Sequence, residues 1–290
     1  MSNQKTRAIP PPVKKLHKQP RNLQKTYAKT VGRETNQLSL FSLPNEIIDN
    51  SLTTDPRKIS KNTAILGQEL VRRWQESPGD ELVIDNLSEL SRFIGNSNYE
   101  TKIYLLHLSG FTYPLIDKEP DGGLSLSMEQ LFKISFKYGS AVKERHNKGQ
   151  SVFIGTSMVN FIKDEPIDRI IVKPNERIIK ALSGQGLGNV LVSNDSLKLT
   201  QGLTEIAFKL YSYTASNKPI QKIKEVKLFE HLGLSEQVKK QGKPRVRKAI
   251  ASALEELVNM GHIVEHTYEA GLYSFTYSDR FIKHKDHLKE

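Results

Sequence analysis

The chain has 290 residues, 43 Lys and Arg against 32 Asp and Glu, a formal net charge of +11 and no cysteine. That length allows two domains with separate cores, the excess of cations suits a polyanionic partner, and disulfides and thiolate metal sites are excluded. No apolar run approaches the roughly 18 residues that span a membrane, and the N-terminus has no apolar signal region, so a cytoplasmic protein without membrane contact is expected.

Residues 1–33 contain nine basic residues, among them Lys18, Arg21, Lys25 and Lys29, and no acid. With Pro10-Pro11-Pro12 adding a stiff extended piece, this segment reads as a disordered basic arm, unable to bury enough apolar surface to fold alone. Leu38-Ser39-Leu40-Phe41-Ser42-Leu43-Pro44 follows as a short apolar segment. It suits docking on the first domain or, with Gln37 ahead of it, a linear motif for a sliding clamp. The expected organisation is 1–44 as arm and apolar segment, 45–175 as a first domain and 176–290 as a second.

In the first domain, Ile59, Leu66, Leu70 and Trp74 mark one face of a helix that ends at Ser77-Pro78-Gly79-Asp80. Leu82-Val83-Ile84 is a short strand. Leu87, Leu90, Phe93 and Ile94 give a short helix closed by Gly95. Asn96 or Ser97 caps a further helix with Ile103 and Leu106 on its apolar face. Tyr113–Ile116 and Leu124–Tyr138 read as strands joined by a turn-rich loop at 118–123. Residues 139–150 read as an exposed loop. Val152–Met158 and Ile167–Val172 are additional strands, and Pro174–Leu182 is helical. Ser183–Gly188 is a glycine-bearing connection that leaves room for the two domains to reorient.

The second domain has a sharper pattern. Leu203, Ile206, Ala207, Leu210, Tyr211 and Thr214 lie at helical spacing. Val226, Phe229 and Leu232 do so for a short second helix closed by Gly233. A basic turn, Lys239 to Lys243, precedes a longer helix with Val246, Ile250, Ala253, Leu254 and Leu257 on its apolar stripe, stopped at Gly261. The period then changes to two, and Ile263–Tyr268 and Leu272–Tyr277 form a hairpin about Glu269-Ala270-Gly271. The fold class expected is α+β, as two tandem winged helix-turn-helix domains behind a disordered basic arm.

Lys239, Lys240, Lys243, Arg245, Arg247 and Lys248 crowd the turn and the start of the third helix with no acid among them. A helix N-terminus favours anions, so cations there break a local rule and point to a phosphate-bearing partner. That is the end of a recognition helix that enters the major groove. In the first domain the equivalent residues are Ser97, Asn98, Tyr99 and Lys102, a far less basic set.

Catalytic motifs are lacking. Gly184-Gln185-Gly186-Leu187-Gly188 has neither the dinucleotide spacing nor a P-loop ending. His262-Ile263-Val264-Glu265-His266 matches a metalloprotease string, but on a strand Glu265 faces away from both histidines. No enzyme activity, cofactor or metal is expected.

Leu210-Tyr211-Ser212-Tyr213 in its opening helix, and Phe229-Glu230-His231-Leu232-Gly233-Leu234 before the turn, resemble motifs of the initiators of iteron-type plasmid replication. The resemblance implies binding to direct repeats at a plasmid origin, melting of adjacent AT-rich DNA and recruitment of the host initiator and helicase. It also implies that the C-terminal unit reads sequence through Lys243–Met260, while the N-terminal unit mediates homodimerisation and adds backbone contacts. Dimers of such proteins often repress their own gene. A winged-helix transcriptional regulator without a replication role is the alternative, and a protein-binding scaffold ranks below both. The basic arm and the region around 139–166 have no counterpart in the resemblance.

Overall fold

The computed structural model describes residues 16–32, 59–118, 124–138, 167–182, 189–216 and 222–278. The expectations for Leu38–Pro44, Val152–Met158 and the glycines of 183–188 lie outside these residues.

The chain is α+β. Its first unit opens with α2 (Lys61–Glu76), whose N-cap Ser60 accepts a hydrogen bond from the Thr63 amide. Strand β2 (Leu82–Ile84) follows, then α3 (Leu87–Ile94), capped by Asn86 and ended by Gly95 at φ 69°. Helix α4 (Asn98–Gly110) starts with a capping box between Ser97 and Glu100. Strands β3 (Thr112–Lys118) and β4 (Leu124–Gln130) make a separate antiparallel hairpin. Strands β5 (Phe132–Tyr138) and β6 (Ile167–Pro174) join β2 in a three-stranded sheet ordered β2-β6-β5.

Two expectations need correction here. Leu124–Tyr138 is not one strand. It breaks at the buried Leu131, and the two halves enter different sheets. The core face of α4 is also misassigned: Thr101, Lys102, Leu105 and Leu108 are buried, whereas Ile103 and Leu106 are only partly covered. Apolar residues at 103, 105, 106 and 108 encircle this helix, so spacing alone does not choose a face.

The second unit repeats the order. After α5 (Glu176–Leu182), β7 (Asn189–Ser193) and α6 (Asn194–Leu199) come α7 (Glu205–Ser216), β8 (Lys222–Lys224) and α8 (Glu225–His231). Then come α9 (Ser235–Gln241), α10 (Lys243–Asn259), β9 (Ile263–Glu269) and β10 (Leu272–Tyr277), with a sheet ordered β8-β10-β9. In both sheets the first strand of the unit pairs with the last, and the last with the middle one. The predicted turn at Lys239–Lys243 is mostly helical. Only Gly242, at φ 80° and ψ 153°, breaks α9 from α10. Val226 is 55% exposed and leaves the predicted stripe of α8, which instead buries Glu225, Leu228 and Phe229.

The disordered arm is the largest correction. Residues 16–32 are ordered as β1 (Leu16–Pro20) and α1 (Arg21–Thr30). Leu23, Tyr27, Ala28 and Val31 recur at helical spacing and are fully buried, while Lys18, Lys25 and Lys29 remain exposed. The segment gains its buried surface from its neighbours: β1 pairs antiparallel with β7, and α1 packs on α7. Composition counted in isolation cannot register such docking.

Candidate nucleic-acid interface

Helix α10 is held against the core by Val246, Ile250, Ala253, Leu254, Leu257 and Val258, which belong to one hydrophobic cluster shared with the first unit rather than to a core of their own. Burying residues four apart fixes the opposite face. Lys243, Arg245, Lys248, Ala251, Ser252, Glu255 and Asn259 are exposed there. The face divides by charge along its length. Its first turns hold Lys243, Arg245 and Lys248, with no acid in the first turn. Pro244 sits just inside the start, where its fixed φ suits the first turn.

The acids of the C-terminal half are engaged elsewhere. Glu256 accepts from the Thr204 amide and hydroxyl, both at 2.7 Å, and so caps α7 from across the core. Glu255 Oε1 lies 3.0 Å from His266 Nε2 in a hydrogen bond. The N-terminal half of α10 is therefore a concentrated positive end, reinforced by the helix dipole.

The six predicted basic residues of this unit do not act alike. Lys240, Lys243, Arg245 and Lys248 are exposed. Lys239 turns to Glu236 at 2.7 Å within α9, a hydrogen bond that raises its pKa. Arg247 is drawn inward. It donates through Nε and Nη2 to the two oxygens of Glu225, the second at 3.0 Å. Its guanidinium lies 5.3 Å from the centroid of Tyr268, whose hydroxyl donates to the same carboxylate at 3.1 Å. Arg247, followed by the Tyr268 hydroxyl, holds the Glu225 carboxyl below the usual carboxylate range. The bidentate bond in turn raises the pKa of Arg247. Glu225 is far from Arg247 in sequence, so no charge count over 239–248 could find this partner.

The residues predicted for the first unit come together at the start of α4, where Ser97 and Asn98 are exposed but engaged within the unit, Tyr99 is half-buried and Lys102 is buried. The Ser97 hydroxyl and amide both donate to Glu100, lowering its pKa. Asn98 Nδ2 donates to Ser88 Oγ at 3.2 Å. Lys102 is only 6% exposed. This end of α4 carries an acid and offers no free cation comparable to those of α10.

His262 and His266 serve different partners. Thr214 Oγ1 and His262 Nε2 share a hydrogen bond at 2.8 Å inside the core, and Glu265 is exposed on β9. Among the described residues no group of three His, Cys, Asp or Glu could hold a metal ion, and no helix is long and apolar enough to cross a membrane. No known family model matches the chain, and no curated protein matches it either.

Proposed function

We propose that the chain is a sequence-specific double-stranded DNA-binding protein built from two tandem winged helix-turn-helix units. The supporting observation is the charge division of α10, which leaves Lys243, Arg245 and Lys248 exposed at the end that a recognition helix inserts into the major groove. The repeated element order and the matching strand order of the two sheets support the tandem architecture. The second unit reads sequence and the first adds contacts or pairs two chains.

The resemblance to iteron-type initiators carries the reading further, to direct repeats at a plasmid replication origin, initiation of replication, recruitment of host initiator and helicase, and repression of the chain's own gene. Footprinting on the DNA flanking the gene tests it. Tandem protected repeats support an initiator. A single protected operator supports the regulator instead. Absence of protection at low salt overturns both.

A further inference from the structure

The sheet of the first unit carries an arrangement that α10 does not account for. In the β5–β6 register, Lys133 lies opposite Lys173 and Lys137 opposite Arg169. Both pairs occupy one face of the sheet, with Ser135 opposite Ile171 between them. The alternate residues Phe132, Ile170 and Val172 are buried in the core, with Ile134 and Phe136 packed against it. All four cations are exposed. Side chains directly opposite in an antiparallel pair stand about 5 Å apart at Cβ, and like charges there destabilise the sheet.

Neutralisation of this face is partial. From the β2 side, Glu81 reaches Lys173 at 2.6 Å and Asp85 reaches Arg169 at 2.7 Å. Exposed pairs of this kind are weak and yield readily to competing anions. Among the described residues Lys133 and Lys137 have no acidic partner. Lysines on an edge strand guard against unwanted pairing, and among the described residues β5 lies at the edge of its sheet. Arg169 and Lys173, however, stand on the central strand, where no edge needs guarding. The corresponding face of the second sheet carries Lys222 and Lys224 on β8 and Glu265 and Glu269 on β9, with β10 between them, and has no like-charge pair in its register.

We propose that this face is a second phosphate-binding surface, which takes the sugar-phosphate backbone of duplex DNA while α10 contacts the groove. The proposal rests on the reading of the chain as a duplex-binding protein. The two cation pairs are four residues apart, about 13 Å along the strands, and meet a duplex that carries one charge per about 1.7 Å of axis. The long side chains neutralise phosphates without reading bases, so the face contributes affinity and salt dependence rather than specificity. The two units thus present different elements to the same polyanion, the first its sheet and the second its helix.

The test uses the full chain with Lys133→Gln and Lys137→Gln together, and a fourfold variant adding Arg169→Gln and Lys173→Gln. Binding is measured to a random-sequence duplex over a range of salt, and to the fragment the parent protects. The slope of log affinity against log salt should become shallower by about two units in the double variant and up to about four in the fourfold one. The ratio of specific to random affinity should hold. The melting temperature should hold or rise, because cross-strand repulsion is removed, and a Lys133→Arg, Lys137→Arg chain should keep the parental slope. An unchanged slope in both Gln variants overturns the surface, and new self-association with an unchanged slope assigns the lysines to edge protection and overturns it as well. A parent chain without salt-dependent duplex binding refutes the underlying reading. A parent that binds through α10 but ignores the sheet variants refutes only the surface.

Discussion

Arg247 and the cations around it, Lys243, Arg245 and Lys248, look alike in sequence but differ in partner. Its guanidinium serves Glu225 and Tyr268 and so ties α10 to the start of α8 and to β9. Replacing Lys243, Arg245 and Lys248 by glutamine should leave the fold intact and flatten the salt slope by about three units, since each phosphate contact contributes about one. Arg247→Gln should leave that slope near the parental value and lower the melting temperature instead. An equal loss of slope in both would remove the distinction. Glu225 adds a pH signature. Its folded-state pKa is depressed, so its stabilising contribution is present above the ordinary carboxylate value and lost as pH falls through the folded one. Acidification below about pH 4 should therefore lower the parental melting temperature more than that of Glu225→Gln, which has no carboxylate to protonate.

At the scale of elements, a periodic signal is legible where an element buries one face and ambiguous where it is covered on several sides. The stripe of α10 from Val246 to Leu257 and the alternation of β10 each have one buried face, and one face is what a period reports, whereas β9 buries only Ile263. Helix α7 shows the limit. Its predicted stripe is covered, and Phe208, Lys209, Tyr213 and Ala215 off that stripe are buried too, because α1 packs on it from an opposite end of the chain. Lys209 Nζ donates to the Leu232 carbonyl at 2.9 Å, closing the turn after α8 from within the core. The candidate helix was legible as a local run of charge. The sheet cations form no local run: Lys133 and Lys137, like Arg169 and Lys173, have the even spacing that puts two side chains on one strand face, but only the β5–β6 register brings the two pairs together. The tip of the hairpin yields a prediction of its own. Ala270 at φ 48° and Gly271 at φ 79° form a two-residue turn with both central φ positive, the conformation that Asn-Gly adopts most readily. Ala270→Asn should raise stability by about 0.5–1 kcal/mol in denaturant titration. The Gly271 carbonyl also accepts from the Glu225 amide at 2.9 Å, so this tip holds α8 in place, and shortening it should lower the melting temperature.

Across the whole molecule, α1 braces the two units. Lys61 Nζ donates to the Gln201 and Leu203 carbonyls at 2.7 and 2.6 Å, and Gln201 Nε2 donates to the Phe93 carbonyl, so the start of α7 is tied to α2 and α3. The α1 contacts are closer still, and each unit meets them with a glycine. A Cβ on Gly233 would lie 2.4 Å from the Lys29 carbonyl oxygen, at a residue already held at φ 61°. A Cβ on Gly67, in the middle of α2, would lie 2.2 Å from the Tyr27 hydroxyl. Glycine inside a helix costs about 1 kcal/mol relative to alanine, so its presence in α2 is accounted for by this approach of α1. Gly67→Ala should therefore destabilise the chain by about 1–3 kcal/mol despite the better helix former, because Tyr27 must move within a full core. Tyr27→Phe removes the atom in the way. The next contacts of that Cβ are then Leu108 Cδ1 at 3.3 Å and the Tyr27 ring carbon at 3.4 Å, which small shifts accommodate. In a double-mutant cycle the second change should recover most of the loss caused by the first, a coupling of the size expected for residues in contact. Additive losses in chemical unfolding would mean that α1 does not sit against Gly67, and the brace between the two units would fall with it.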